Sequence, residues 1–380
     1  MYKKRKVLPR RRFRKTPSEL GWYRGRADGL KQGQEYGYVH GRCEAVMQLT
    51  PPDEGRVWDI KALFISTGRM QPYMPIDQGV SDAIAASVRE YRLTSPHEDV
   101  LAIAEQMKPD IVIVLDALHS FQYQRVDELR AKGFRTAVWF TDDPYYTDMT
   151  VEIAPHYDYV FTLEMNCVQL YQNIGCANVF HLPFGIDPNV YRPRRVDLPL
   201  RFEICFIGTA FANRVAFFEQ LAPYLSTKKT LIAGYWWDRL RNYDILQPKV
   251  RLGVWMDPIE TSAHYFGSRI VINMHRHFDD DSYNQNNRRV HALSVNPRTF
   301  EISGSGAFQL TDMRSDLPQF YTPGEHVAVY DGPDDLIAKI EHFLKREDER
   351  REIAIRGFQH TLQYHTYRKR IAQMLQIIFP

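Results

Sequence analysis

At 380 residues with 44% apolar content, the chain is too long for one small domain and fits two of ordinary size. No run of 18 apolar residues exists, which excludes a membrane span, and the basic N-terminus lacks the apolar stretch of a secretory signal. The net charge is only +3, and the four cysteines (Cys43, Cys167, Cys176, Cys205) are widely spaced with no CxxC pair. That pattern argues against a disulfide framework or a structural zinc site and fits a cytoplasmic protein.

The charge is unevenly placed. Residues 1–15 hold nine Lys or Arg and no acid, so the remainder carries −6. Such an arm can bind nucleic acid, an anionic surface or an acidic partner, or serve as a solubilising tail. Pro17–Met47 follows, with a glycine at every fourth position from Gly21 to Gly41. On a helix this spacing gives one small-residue stripe. Six glycines cost a helix roughly 5–6 kcal/mol relative to alanine, so docking against another helix or a second copy of the chain is expected through residues 17–47.

Pro51–Arg56 reads as a linker. Asp59–Ser66 reads as a buried strand, with a long Pro-containing loop and a helix over Gln78–Tyr91 behind it. Helix Glu98–Met107, strand Asp110–Leu115, helix Phe121–Lys132, strand Arg135–Phe140, strand Tyr159–Thr162, helix Asn166–Asn173 and strand Val179–Leu182 continue the alternation. This predicts a doubly wound α/β domain over 57–185. Phe184–Pro193 is turn-rich and marks a crossing. A second unit over 200–357 starts with strand Phe202–Gly208. It continues with helix Arg214–Leu225, strands Lys229–Ala233 and Val250–Leu252, helix Pro258–Phe266 and strand Ser268–Met274. A polar stretch, His275–Asn296, leads into Asn296–Asp312. That segment is a short helix with one carboxylate (Glu301), a turn with two glycines (Gly304, Gly306) and a strand. Strand Val327–Tyr330, helix Pro333–Lys345 and two terminal helices complete the chain. The last, Tyr367–Ile378, is expected to pack across the domain junction within a segment 358–380. Two such domains define a cleft between them, where strand carboxyl ends bind ligands.

Phe202–Gly208 with Thr209 and Arg214, the Phe184-Gly185-Ile186-Asp187 crossing, and Arg298-Thr299-Phe300-Glu301 running to Gly306–Asp312 together resemble the CgeB-type (spore maturation protein) glycosyltransferases of the GT-B superfamily. The resemblance is clearest over 135–375, weaker over 59–134, and leaves the first 50 residues outside. It implies two Rossmann-like domains facing a cleft, behind an N-terminal helical extension (1–50). The first domain would present an acceptor, and the second would hold a nucleotide sugar, most simply UDP-linked. A hexose would pass to a hydroxyl on a protein, glycan or other polymer. It further implies that Glu301 bonds the nucleotide ribose, with Gly304 and Gly306 in the turn beyond. Gly208 and Thr209 would border the phosphates through backbone N–H groups. Arg214 is the first choice for a phosphate contact and Arg298 the second, with Arg276 and Arg288 further candidates.

One departure stands out. Many related retaining enzymes carry a second Glu eight residues before the ribose carboxylate, and here that position is Leu293. The sugar-contacting group is therefore unassigned. For acid–base work the candidates are His119, in the loop after a buried strand, and Asp142 and Asp143, at the end of strand Arg135–Phe140. Structural readings compete: a loop histidine for His119 and a turn cap for the Asp-Asp-Pro sequence. Asp279-Asp280-Asp281 looks like the acidic metal motif of the other glycosyltransferase fold but sits in the wrong architecture, so no metal and no cofactor beyond the donor are expected. Two rival readings remain: a GT-B protein that binds nucleotide sugar without turnover, and a nucleic-acid-associated protein acting through residues 1–15.

Overall fold

A computed structural model describes residues 17–50, 55–280 and 282–380. The basic arm, with the nucleic-acid role expected of it, and most of the linker lie outside these residues. The chain divides into two units, one up to Arg42 and one from Cys43 to Pro380. A single long helix, α1 (Pro17–Leu49), carries the glycine stripe.

The second unit contains two six-stranded, wholly parallel sheets. The first is built from β1 (Trp58–Ile65), α2 (Met74–Ala85), β2 (Val88–Thr94), α3 (Val100–Met107), β3 (Ile111–Leu115), α4 (Tyr123–Ala131), β4 (Thr136–Trp139), α5 (Thr147–Ile153), β5 (Tyr159–Thr162), α6 (Met165–Asn173) and β6 (Val179–His181). Its order is β2-β1-β3-β4-β5-β6. The second comprises β7 (Phe202–Ile207), α7 (Ala212–Ser226), β8 (Thr230–Gly234), α8 (Tyr243–Leu246), β9 (Val250–Leu252), α9 (Pro258–Gly267), β10 (Ser268–Asn273), α10 (Arg298–Gly304), β11 (Gln309–Asp312), α11 (Leu317–Phe320), β12 (Ala328–Tyr330) and α12 (Gly332–Lys345). Its order is β12-β11-β10-β7-β8-β9. Two helices follow, α13 (Glu347–Tyr364) and α14 (Tyr367–Ile378).

Continuous apolar runs explain the central strands. All five residues of β3 (IVIVL) and of β8 (TLIAG) are buried, as parallel strands covered on both faces must be. On one face of the first sheet Leu63, Ile65, Val112, Val114 and Val138 form a core with α3, α4 and α6. On the other, Phe64, Ile113 and Leu115 meet Ile371, Met374 and Leu375 of α14. The last helix thus crosses back to the first sheet, each buried apolar side chain contributing roughly 1.5–3 kcal/mol. Gly79 in α2 permits this packing, because a Cβ there would lie 2.7 Å from the Tyr367 ring.

One expected element changes type. The helix over Gln78–Tyr91 is instead α2 ending at Ala85, followed by strand β2. β2 is an edge strand, paired with β1 alone. Its exposed Arg89, Glu90 and Arg92 hid the strand from a reading based on apolar runs, yet charges suit an edge that must not recruit other chains. Helix α5 was not anticipated; it follows directly on the Asp142–Tyr146 loop.

Both sheets change winding direction once, between β1 and β3 and between β7 and β10. Crevices at such points, outside the strand carboxyl ends, take ligands.

Candidate functional site

A cavity of about 620 Å³ lies between the two sets of strand ends. Its first-sheet wall includes Tyr73, Thr141, Asp142, Asp143, Tyr145 and Glu164. Its second-sheet wall includes Gly208, Thr209, Arg298 and Glu301, with Tyr235, Val254, Trp255 and Met256 farther along.

The second-sheet wall is shaped by close turns. Gly234 has φ +137°, and a Cβ there would come 2.3 Å from the Gly208 carbonyl oxygen, so the turns after β7 and β8 abut. A Cβ on Gly208 would lie 3.2 Å from the Arg298 guanidinium carbon. The Gly208 N–H already donates to the Ala233 carbonyl at 2.8 Å, so the expected backbone contact to phosphate falls to Thr209 alone. Among the described residues no protein acceptor takes the Thr209 N–H or the Arg298 guanidinium.

Arg214 corrects the first choice for a phosphate ligand. It is 2% exposed and each of its three nitrogens bonds main chain: Nη1 the Thr209 carbonyl at 2.9 Å, Nε and Nη2 the Met274 carbonyl at 3.1 and 2.6 Å. It pins the ends of β7 and β10 together at the winding reversal. Burial, and then the neighbouring Arg298 charge, lower its pKa to about 9. Arg276 lies beside the cavity, its guanidinium 4.3 Å from the Tyr145 ring and 4.1 Å from the Phe211 ring. Its Nε and Nη2 are buried without a protein partner. Arg288 is exposed and does not line the cavity.

Glu301 lines the cavity and accepts a hydrogen bond from Tyr191. Burial raises its pKa, and Arg298 and Tyr191 oppose that shift. Gly304 and Gly306 do not line the cavity, contrary to expectation. A Cβ on Gly304 would meet Ile186 Cδ1 at 2.4 Å, so this glycine serves helix packing. Gly306 has φ +71°, and its N–H bonds the Ser303 carbonyl at 3.0 Å, which leaves it no donor for a ligand.

On the first-sheet wall the adjacent aspartates separate cleanly. Asp142 accepts from Tyr73 Oη at 2.7 Å and Thr141 Oγ1 at 3.0 Å and lines the cavity. Asp143 is 6% exposed and turned to the interior, taking hydroxyl donors from Thr162 (2.6 Å), Tyr171 (2.8 Å) and Thr150 (3.4 Å). Its pKa rises to about 6 by burial. Asp143 is therefore held in a structural role, contrary to the acid–base role expected of it. A raised folded-state pKa means the folded chain binds the proton more tightly than the unfolded one, so this group's contribution to stability falls as pH rises from about 4 to about 6. Replacing it by Asn removes that loss. Relative to wild type, Asp143→Asn should therefore gain roughly 2 kcal/mol between pH 4 and pH 7. Urea midpoints measured across that range check this; a pH-independent difference would contradict it.

His119 is exposed, outside the cavity lining, with its ring centroid 6.1 Å from that of Tyr146 in a T-shaped arrangement. Desolvation, then the Arg69 charge, lower its pKa.

Sequence reasoning gave no role to four residues here: Arg69, Tyr73, Asp116 and Thr141. Arg69, after β1, pairs with Asp116 after β3 at 3.0 Å and stacks on Tyr73, 3.6 Å above its ring. Thr141 Oγ1 donates to Asp116 at 2.6 Å. Arg69, Asp116, Thr141, Asp142 and Tyr73 thus close a ring of contacts beneath the cavity. Asp116 and Ala117 adopt φ +73° and +60°, backbone strain of a kind concentrated at functional sites. Burial, with the like charge of Asp142 next, pushes Asp116 up to about 6. The legible signal was position: Arg69, Asp116 and Thr141 each lie just beyond a buried strand's carboxyl end. The triple-Asp stretch is spent otherwise, Asp280 accepting the Ala212 N–H at 2.9 Å and Asp279 pairing with His277, while Asp281 lies outside the described residues.

Two parallel doubly wound domains with ligand-facing strand ends across a cleft define the GT-B architecture. Comparison with known proteins agrees. Residues 214–376 match a family described as glycosyl transferase-like. The chain is 27% identical over 312 residues to spore protein CgeB of Bacillus subtilis strain 168, covering 81% of this chain and 95% of that protein. The chain is thus similar in sequence to CgeB and, over its C-terminal part, to glycosyl transferase-like domains, and its fold is GT-B. Among solved structures it is similar in fold to sucrose-phosphate synthase from Thermosynechococcus elongatus, with TM-score 0.59, 12% identity and coverage of 84% of this chain and 98% of that one. It is likewise similar to Anabaena HepE in complex with UDP and glucose, with TM-score 0.59, 8% identity and coverage of 84% and 99%. Among the described residues no helix is long and apolar enough to cross a membrane.

Proposed function

We propose that the protein is a glycosyltransferase that moves a hexose from a nucleoside-diphosphate sugar, with UDP as the nucleotide, to a hydroxyl of a protein, glycan or other polymer in the cytoplasm. The observation that carries this reading is the pairing across one cavity of Arg298, Glu301 and Thr209 on one wall with Asp142 on the other. The relatives support it: UDP or UDP-glucose is bound in the HepE structures.

In this reading Glu301 accepts from the ribose hydroxyls, and the Thr209 N–H and Arg298 face the diphosphate. The acceptor oxygen attacks the anomeric carbon, and its proton passes to Asp142. The bond from that carbon to the diphosphate oxygen breaks, and the electron pair leaves with the nucleotide, its charge offset by Arg298 and Arg276. The steps use groups of the protein alone and call on no metal ion. Incubation with a panel of nucleotide sugars, following nucleotide release, tests the proposal. Release with a UDP-sugar is expected; no release with any donor, together with no thermal shift by UDP, GDP, ADP or TDP, overturns it. Glu301→Ala should weaken UDP binding by roughly 1.5–3 kcal/mol, about tenfold to a hundredfold, read by calorimetry. Unchanged affinity removes Glu301 from the ribose site.

A further inference from the structure

The segment between β10 and α10 belongs to the second sheet's chain, yet its far half is bonded to the first sheet's loops. Gln285 N–H donates to the Tyr145 carbonyl at 2.8 Å, and Asp148 N–H returns to the Gln285 carbonyl at 2.9 Å. The Asn287 N–H reaches both carboxylate oxygens of Asp148 at 3.1 Å. Asn166 Nδ2 donates to the His291 carbonyl at 2.9 Å, and Met165 N–H to Ser294 Oγ at 3.0 Å.

One side chain ends this series. Glu164 follows β5 and is 2% exposed. Its Oε1 accepts the Asn166 N–H at 3.1 Å, capping α6. Its Oε2 accepts two more N–H groups, from Leu293 and Ser294, each at 3.0 Å. A single carboxylate therefore joins chain segments 129 residues apart, and both Glu164 and Ser294 line the cavity. Ser294 stands four residues before Arg298, and every residue between them also lines the cavity. Asp316 secures the next step, accepting the Val295 N–H at 2.9 Å.

We infer that Glu164 is a positioning residue for the donor: from the first sheet it fixes the Leu293–Ser294 turn, and through that turn it sets the place of Arg298 and Glu301 on the opposite wall. This rests on the proposed donor site and adds to it that nucleotide binding on the second sheet depends on a carboxylate of the first. Glu164 accepts main-chain donors only, so its removal frees the turn, and any direct effect of losing its cavity-lining side chain is read separately in kcat. Gln keeps one oxygen for these donors but turns an NH₂ group toward the others, so it shows only part of the effect of Ala.

The experiment compares wild type, Glu164→Gln and Glu164→Ala as full chains, by amide exchange over residues 290–300, UDP affinity and donor kinetics. The Ala variant is expected to speed exchange over that segment, weaken UDP binding at least tenfold and raise donor KM by a similar factor, with kcat changed less; Gln should fall between. Unaltered exchange and KM would overturn the inference, as would a lowered kcat at unchanged KM, which would put Glu164 on the reacting groups. Should the Ala variant fail to fold, wild type alone decides: UDP should protect residues 163–168 along with 290–300, and protection of 290–300 only overturns the inference. Wild type that binds no nucleotide would instead defeat the proposed function, while the exchange comparison, which needs no nucleotide, still tests the turn.

Discussion

Asp142→Asn should lower turnover by about 10²–10⁴-fold while leaving nucleotide affinity unchanged, because it removes the proton acceptor of the proposed reaction but not the fold. Asn retains a carbonyl oxygen for the Tyr73 hydroxyl, 2.7 Å away in the wild type, so the ring of contacts beneath the cavity persists. The neighbouring Asp143→Asn is the internal control. Its carboxylate is already engaged by Thr162 and Tyr171, so turnover should fall less than about tenfold. Single-turnover kinetics with saturating donor separates the two. If Asp142→Asn retained wild-type turnover and Asp143→Asn lost it, the roles assigned here would be reversed.

Arg298→Ala is expected to cost about 10²–10³-fold in kcat/KM, the scale for losing one charge-stabilising donor at a departing group. Its guanidinium sits against Gly208, close enough that a Cβ there would crowd it at 3.2 Å, and no protein acceptor satisfies it among the described residues. Arg214, whose guanidinium also lies near Gly208, cannot substitute, since it is 2% exposed and each of its three nitrogens is held by the Thr209 or Met274 carbonyl. Arg298→Lys should recover little, because an ammonium offers a point charge where a planar fork can bond two phosphate oxygens. Melting temperatures should stay near wild type in both variants, as Arg298 is only half-buried. Full activity in Arg298→Ala would shift the phosphate role to Arg276, whose Nε and Nη2 also lack protein partners.

The two aspartates show why part of the site was readable and part was not. Strand Arg135–Phe140 could be recognised from its apolar run, and residues just beyond a parallel strand's carboxyl end face the ligand side of the sheet. That placed Asp142 and Asp143 together. Their separation depends on where Tyr171 and Thr162 lie, and those residues come from a helix and strand later in the chain. The three arginines behave alike: type and rough position were legible, but not which guanidinium finds a carbonyl.

Local chemistry alone determined the β–α alternation, the two parallel domains, the crossing near Phe184 and the position of Glu301. Continuous apolar runs, glycine turns and helix periodicity are properties of neighbouring residues. Tertiary structure alone decided that β2 is an edge strand, that Arg214 braces the cleft while Arg298 faces into it, and that Glu164 meets Leu293. Each of these outcomes depends on burial and on partners far away in sequence. A buried donor or acceptor must be satisfied by whichever group packing brings to it, and that group is not visible in the residues on either side.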